Sequence, residues 1–232
     1  MLIKDASKSV LIYVLMYIAV ILVQVVVVFG GFVDVNSTEE LIRFNSINNL
    51  GFYGLMAILY IALFKQAWNH ELNHFKANKF QFIKYMLFGF LAMIGVSLLM
   101  NAIYLLLGIT DQSENQAQLD MLLQGAFFDK FALVAFAVFL APIVEEMVFR
   151  MAIFKFLEKG YFSKPWLKIL ISSSVFGFIH VMGAFDFEQI FYYIGLGAVL
   201  GAFYHKTDNI IVPIIVHMLL NGFVTITMFL SL

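Results

Sequence analysis

Cysteine is absent from this 232-residue chain, and only 12% of its residues are charged. The lack of cysteine excludes disulfide bonds, thiolate nucleophiles and cysteine metal sites. A soluble domain is about half apolar and about a quarter charged, whereas 62% of this chain is hydrophobic and its mean hydropathy is +0.93. These polar residues are too few to cover a globule in water, so we expect a lipid bilayer to be the solvent.

Basic residues are also scarce, since the chain has 14 Lys and Arg residues and a net charge of -1. Without a long basic run or a nucleic-acid-binding motif, we expect no nucleic-acid partner.

Seven apolar stretches are long enough to predict membrane-spanning helices. They comprise residues 10–33, 47–64, 85–109, 131–157, 169–185, 189–205 and 209–232. The sequence therefore predicts an all-α, polytopic transmembrane helical bundle of about seven spans. In the loop over residues 111–129, the apolar residues indicate a short interfacial helix, with an irregular loop as the alternative.

The basic residues favour one orientation of this bundle. Eleven of the fourteen lie on the side of the amino terminus, namely Lys4, Lys8, Lys65, Lys76, Lys79, Lys84, Lys155, Lys159, Lys164, Lys168 and Lys206. Because cytoplasmic loops are enriched in Lys and Arg, we expect a cytoplasmic amino terminus and an external carboxyl terminus.

Three charged residues interrupt the fourth span: Glu145, Glu146 and Arg150. An unpaired charge at the bilayer centre costs at least about 2.5 to 3.5 kcal/mol, so these groups need partners. Glu146 and Arg150 are four residues apart and can pair on one helix face. Glu145 points about 100° away from Glu146, which leaves its carboxylate available for another task.

Other polar residues lie at a similar depth in neighbouring spans. At 1.5 Å per residue from the cytoplasmic ends, Glu145, His180 and Asn221 lie about 18 Å deep, and His217 about 12 Å. We therefore expect a common intramembrane site. Pro142 and Pro213 precede two of these residues, and we expect both to remove a backbone hydrogen bond beside the site.

The sequence HELNH at residues 70–74 satisfies the HExxH pattern of zinc enzymes. It lies among polar and basic residues after the second span, and no third ligand is evident nearby. A solvated extension of a helix is the favoured interpretation.

Three motifs resemble those of a known family. EEMVFR, FGFIH and HMLLN, which begin at residues 145, 176 and 217, match in order EExxxR, FxxxH and HxxxN. These are the motifs of the CPBP (Abi) family of intramembrane proteases, which includes the type II CAAX prenyl endopeptidases. The resemblance covers residues 127–232, the expected catalytic core, whereas residues 1–126 form helices and loops without a motif.

The resemblance implies hydrolysis of a peptide bond within the membrane. Glu145 and His180 would activate a water molecule, His217 and Asn221 would stabilise the oxyanion, and Glu146 and Arg150 would support them. We favour a site without a metal or other cofactor, because Asn221 is a poor zinc ligand and a good oxyanion donor. The alternative is a zinc ion held by Glu145, His180 and His217.

Two functions of other classes compete with proteolysis. Buried carboxylates and histidines also mark the pathways of ion-coupled transporters, although no internal repeat is evident. A non-catalytic bacteriocin self-immunity or peptide-binding protein would need no hydrolysis. We expect a peptide or membrane-protein substrate and a bacterial plasma membrane location; the sequence specifies no oligomeric state and leaves CAAX-type substrates open.

Overall fold

The computed structural model of the protein describes residues 3–109, 112–183 and 185–232, with side chains from residue 5 onward. Asp111, the first residue of the predicted interfacial loop, lies outside the described residues. Within these ranges eight helices follow one another, and we number them in order: α1 Ile3–Phe29, α2 Thr38–Leu63, α3 Lys65–Leu106, α4 Glu114–Leu123, α5 Phe127–Phe156, α6 Pro165–Met182, α7 Ile190–Thr207 and α8 Ile211–Leu230. The described residues form no β-strand, so the predicted all-α class is confirmed.

Six of these helices are long and apolar enough to cross a membrane, namely α1, α2, α3, α5, α6 and α8. The sixth predicted span is also helical, as α7, but it carries several tyrosines together with His205 and Lys206, which lower its hydropathy. The protein is a multi-pass membrane protein, and helix α4 occupies the position of the predicted interfacial helix.

Two helices extend further than the apolar stretches that predicted them. Helix α2 begins at Thr38, because the Ser37 side chain accepts a hydrogen bond from the Glu40 N–H and caps the first turn. Helix α3 begins at Lys65, so the stretch with the HELNH sequence is helical, as favoured from the sequence. The backbone of Asn78 leaves helical geometry and kinks α3 there.

Helix α5 contains two wider π-helical segments, Val134–Leu140 and Met147–Ala152. In the first, the Ala141 N–H donates to the carbonyl of Phe136, five residues back. Continuing this pattern, the carbonyl of Ala137 would accept from residue 142, which is proline and has no N–H. This geometry agrees with the prediction that Pro142 removes a backbone hydrogen bond beside the site.

The corresponding prediction for Pro213 is wrong. Helix α8 begins at Ile211, so Pro213 lies in its first turn. The first N–H groups of a helix have no acceptor within the helix, and a proline there costs no internal hydrogen bond.

The centre of the bundle is the second half of α5, which is buried by α1, α2, α6 and α8. Helices α6 and α7 approach closely beside it, because Gly197 has no side chain. A Cβ atom on Gly197 would lie 3.1 Å from the Cα atom of Ser173 and 3.2 Å from the Phe176 ring. This close approach brings the backbone of α7 within reach of side chains on α5.

The absence of cysteine allows the orientation of the bundle to be measured directly. Lys76 and Gln118 are both exposed, on α3 and on α4. We expect a membrane-impermeant maleimide to label Gln118→Cys in intact cells, and to label Lys76→Cys only after permeabilisation. The reverse pattern would contradict the cytoplasmic amino terminus.

Candidate active site

Glu146 and Arg150 form a fully buried ion pair one helical turn apart. The Arg150 Nε atom lies 3.1 Å from Glu146 Oε2, and both side chains have no exposed surface. Arg150 Nη2 donates to the carbonyl of Gly197 at 3.1 Å, and the guanidinium lies 4.6 Å from the centre of the Phe176 ring. A buried charge is tolerated when it is paired and hydrogen-bonded. Here the carboxylate and the Gly197 carbonyl stabilise the guanidinium, although its Nη1 atom has no hydrogen-bond partner among the described residues.

The second carboxylate oxygen of Glu146 orients a histidine on another helix. His217 Nδ1 lies 3.0 Å from Glu146 Oε1. Since a carboxylate accepts hydrogen bonds, His217 carries a proton on Nδ1 and turns its Nε2 atom away from Glu146. One carboxylate thus joins the cation on α5 to the imidazole on α8.

Glu145 faces the side chains of two histidines. Its Oε2 atom lies 3.9 Å from Nε2 of His180 and 4.0 Å from Nε2 of His217. The structure therefore brings three of the four predicted catalytic side chains together from α5, α6 and α8.

The orientation of His180 is set by its own helix. His180 Nδ1 donates to the carbonyl of Phe176 at 2.8 Å, and its ring stacks on Tyr193 with 4.7 Å between ring centres. A neutral imidazole with its proton on Nδ1 presents Nε2 as an acceptor. The His180 acceptor and the Glu145 carboxylate consequently face the same small space.

Asn221, the fourth predicted residue, lies one turn after His217. Its Nδ2 atom donates to the carbonyl of Ala137 at 2.8 Å, which is the carbonyl that the proline at 142 leaves without a backbone partner. An amide nitrogen carries two hydrogens, so Asn221 keeps one N–H for a ligand.

Tyr53, which α2 contributes to the site, was not predicted from the sequence. Tyr53 Oη donates to Glu145 Oε1 at 3.1 Å, across 92 residues of sequence. No motif marks this tyrosine. Depth is the one sequence signal that points to it, because Tyr53 lies about 17 Å from the cytoplasmic end of α2, near the depth predicted for Glu145.

These side chains line the inner end of a cavity of about 770 Å³, a size typical of ligand sites. Glu145, Phe176 and His217 are buried there, whereas Asn101, Gln112, Asn115 and Leu105 at the other end are exposed. The cavity thus opens at the end of the bundle where α4 lies, opposite to the lysine-rich loops. Glu145 is the only Asp, Glu, Lys or Arg among the described residues that line it.

The possible zinc ligands Glu145, His180 and His217 lie somewhat further apart than the ligand atoms of a formed zinc site. Ligand atoms around tetrahedral zinc lie about 3.3 to 3.5 Å apart, given bonds of about 2.0 to 2.2 Å, and the 3.9 and 4.0 Å distances are wider. Within the described part of the chain, no group of three His, Cys, Asp or Glu residues is placed to hold a metal ion.

The HELNH sequence has a structural role. The Glu71 carboxylate accepts a hydrogen bond from the Ile210 N–H at 3.0 Å, and its carbonyl accepts from the Asn209 side chain at 2.8 Å. Glu71 therefore anchors α3 to the start of α8, where a negative charge also stabilises the helix terminus.

The part of the chain that carries this site is similar to a known family. Residues 127–223 match the family described as Type II CAAX prenyl endopeptidase Rce1-like. The resemblance to the CPBP family is confirmed for this part of the chain. The match contains all four predicted catalytic residues and excludes Tyr53.

Two curated relatives are similar to part of the chain. The membrane-embedded CAAX protease MroQ of Staphylococcus aureus (strain USA300) is 36% identical over 93 residues, which are 40% of this chain and 38% of MroQ. YdiL of Bacillus subtilis (strain 168), a proposed membrane peptidase, is 34% identical over 125 residues, 53% of this chain and 46% of YdiL. The chain thus spans less than half the length of either relative, and no solved structure is significantly similar to it.

The buried pair of Glu146 and Arg150 predicts a large effect on stability. Replacing Arg150 by leucine leaves a buried carboxylate without its cation, so we expect the free energy of unfolding to fall by about 3 to 5 kcal/mol. Lys155→Leu is the matched control, because its partner Glu158 is about half exposed and such pairs contribute about 0.2 to 1 kcal/mol. Denaturant titration in a mild detergent measures both, and equal losses would contradict a special role for the buried pair.

Proposed function

We propose that this protein is an endopeptidase that hydrolyses a peptide bond of a membrane-associated or peptide-precursor substrate. The observation that carries the proposal is the meeting of Glu145 Oε2 with the Nε2 atoms of His180 and His217 at the inner end of a cavity. The match to a family of prenyl endopeptidases supports it. In this proposal the protein acts in a bacterial plasma membrane.

The first step is the activation of water by Glu145 and His180. Their facing oxygen and nitrogen atoms are 3.9 Å apart, so one water molecule can donate a hydrogen bond to each at about 2.8 Å. Both hydrogens of the water then point at acceptors, and a lone pair points into the cavity. As the water oxygen bonds to the substrate carbonyl carbon, Glu145 takes the proton.

The second step is the breakdown of the tetrahedral intermediate. The C–N bond breaks as Glu145 returns the proton to the departing amine, which leaves a carboxylic acid and an amine as products. The negative charge on the carbonyl oxygen is stabilised by the free N–H of Asn221 and by an N–H on Nε2 of His217. In a well-characterised protease, one preorganised oxyanion donor stabilises the transition state by about 3 to 4 kcal/mol.

The proposed oxyanion role requires a proton on Nε2 of His217 as well as on Nδ1. Glu145, Glu146 and Arg150 together carry a formal charge of -1 in a buried cluster, and an imidazolium at His217 brings the sum to zero. Glu146 Oε1 at 3.0 Å from His217 Nδ1 stabilises this cation directly. The proposed role of Glu146 and Arg150 is therefore to hold His217 as an oxyanion donor.

We propose that the chemistry requires no metal ion. The 3.9 and 4.0 Å separations suit bridging water better than a zinc ligand set, and Asn221 suits an oxyanion donor better than a metal ligand. No step above depends on zinc.

The cavity also indicates the class of substrate. Apart from Glu145 and the two histidines at the inner end, the described residues that line it are apolar or carry neutral donors and acceptors, and its mouth is exposed at the α4 end. In the outer part of the cavity, a charged substrate side chain would lose its hydration without gaining a charged partner among the described lining residues. We propose that the cleaved segment is an uncharged, extended stretch of peptide that enters from the α4 side.

Replacing Glu145 by glutamine tests catalysis directly. The substitution keeps the size of the side chain and removes the proton acceptor, so we expect cleavage to fall roughly 100- to 10,000-fold. The assay presents membrane-embedded model peptides in lipid vesicles and detects products by mass spectrometry, with Glu158→Gln on the surface as the control.

The same experiment separates catalysis from a binding or immunity role. A bound peptide should still be retained by Glu145→Gln, because the cavity keeps its shape. Equal biological protection by wild type and Glu145→Gln, without product from either, would favour the non-catalytic function.

The neutral residues described at the cavity mouth predict a change of substrate preference when a charge is added there. Asn115→Asp places a carboxylate at the cavity mouth without changing size, so we expect kcat/KM for a lysine-containing peptide, relative to the uncharged parent, to rise about two- to fivefold. Gln118→Glu adds the same charge to the exposed face of α4 and should leave the ratio unchanged. An identical ratio in both variants and wild type would contradict the proposed route.

A further inference from the structure

We infer that Tyr53, on a helix outside the matched part of the chain, is a positioning residue for the Glu145 carboxylate. This inference rests on the proposed function and adds a group from α2 to its machinery. It starts from the hydrogen bond that Tyr53 Oη donates to Glu145 Oε1 at 3.1 Å.

The hydroxyl of Tyr53 distinguishes the two oxygens of Glu145. Oε1 is held by the tyrosine, and Oε2 is left facing the two imidazoles at 3.9 and 4.0 Å. A free carboxylate can rotate about its terminal bond, because that torsion is broad. Fixing Oε1 therefore fixes the direction in which Oε2 accepts a proton from water.

The ring that carries this hydroxyl is held in place on two sides. It stacks on Phe136 with 6.0 Å between ring centres and 9° between planes, and it meets the edge of Phe52 at 4.9 Å and 72°. Phe136 belongs to the first π segment of α5, so the same widened turn that frees the carbonyl of Ala137 also supports Tyr53.

Within the described residues, Glu145 has no other short hydrogen bond that could take over this task. Its other charged or titratable neighbours there include His180 and His217 near 4 Å, the Tyr13 hydroxyl, and Arg150, which is paired with Glu146. Loss of the tyrosine hydroxyl thus leaves the carboxylate in the site with its direction unfixed.

The same helix offers a matched control. Tyr60 lies two turns further along α2, is fully buried, and donates its hydroxyl to the carbonyl of Ser9 at 2.5 Å. Tyr60→Phe removes a buried hydrogen bond from the same helix without touching the cavity. Both substitutions keep the ring, so their folding is compared by thermal unfolding in detergent.

The experiment measures kcat and KM of wild type, Tyr53→Phe and Tyr60→Phe on a cleaved membrane-embedded peptide. We expect Tyr53→Phe to lower kcat roughly 10- to 100-fold, which is the scale of a small misplacement of a reacting group. KM should stay within about twofold, because the cavity and its lining ring remain. Tyr60→Phe should leave kcat within about twofold of wild type.

Three results would overturn the positioning role of Tyr53. An unchanged kcat in Tyr53→Phe overturns the inference, as does a raised KM with unchanged kcat, which would make Tyr53 a substrate contact. Equal losses of kcat in both variants would make the effect structural and overturn it too. If the wild type itself cleaves nothing while remaining folded, the proposed function fails instead, so the two failures are distinguishable.

Discussion

The burial of two adjacent carboxylates and one guanidinium in an apolar interior is the constraint on which this structure depends. The buried charge of Glu146 is compensated by Arg150 and by the Nδ1 atom of His217. Glu145 accepts a hydrogen bond from Tyr53 and faces two imidazole rings near 4 Å at the inner end of a cavity. Two carboxylates that are adjacent in the sequence therefore have different surroundings, as the separate supporting and reactive roles proposed for them require.

The geometry of α5 makes room for this chemistry. Its π segment and Pro142 together leave the carbonyl of Ala137 without a backbone partner, and Asn221 supplies the missing hydrogen bond. Freed carbonyls are tolerated in a membrane protein where they face protein or a wet cavity. The same segment supports the ring of Tyr53 through Phe136, so one irregular stretch of helix positions groups from α2 and α8.

Much of this arrangement was predictable from residues that are costly in a bilayer. Glu145, His180 and Asn221 could be placed in one layer because each is polar, intramembrane and about 18 Å deep, with His217 about 12 Å deep. The helix ends were less predictable, because Ser37 caps α2 and polar residues continue α3 beyond the apolar stretches. The effect of Pro213 was misjudged, since a proline in the first turn of a helix removes nothing. Tyr53 lies in a half without motifs, and its contact is made across 92 residues.

The central claim is that Glu145 and His180 hold a water molecule directly. The decisive measurement is an experimental structure of the active protein in lipid, at a resolution that shows ordered water, with the metal content of the same sample. We predict a water within hydrogen-bond distance of both Glu145 Oε2 and His180 Nε2, and less than one zinc per chain. One stoichiometric metal ion among Glu145, His180 and His217, or these side chains turned outward to lipid, would contradict it.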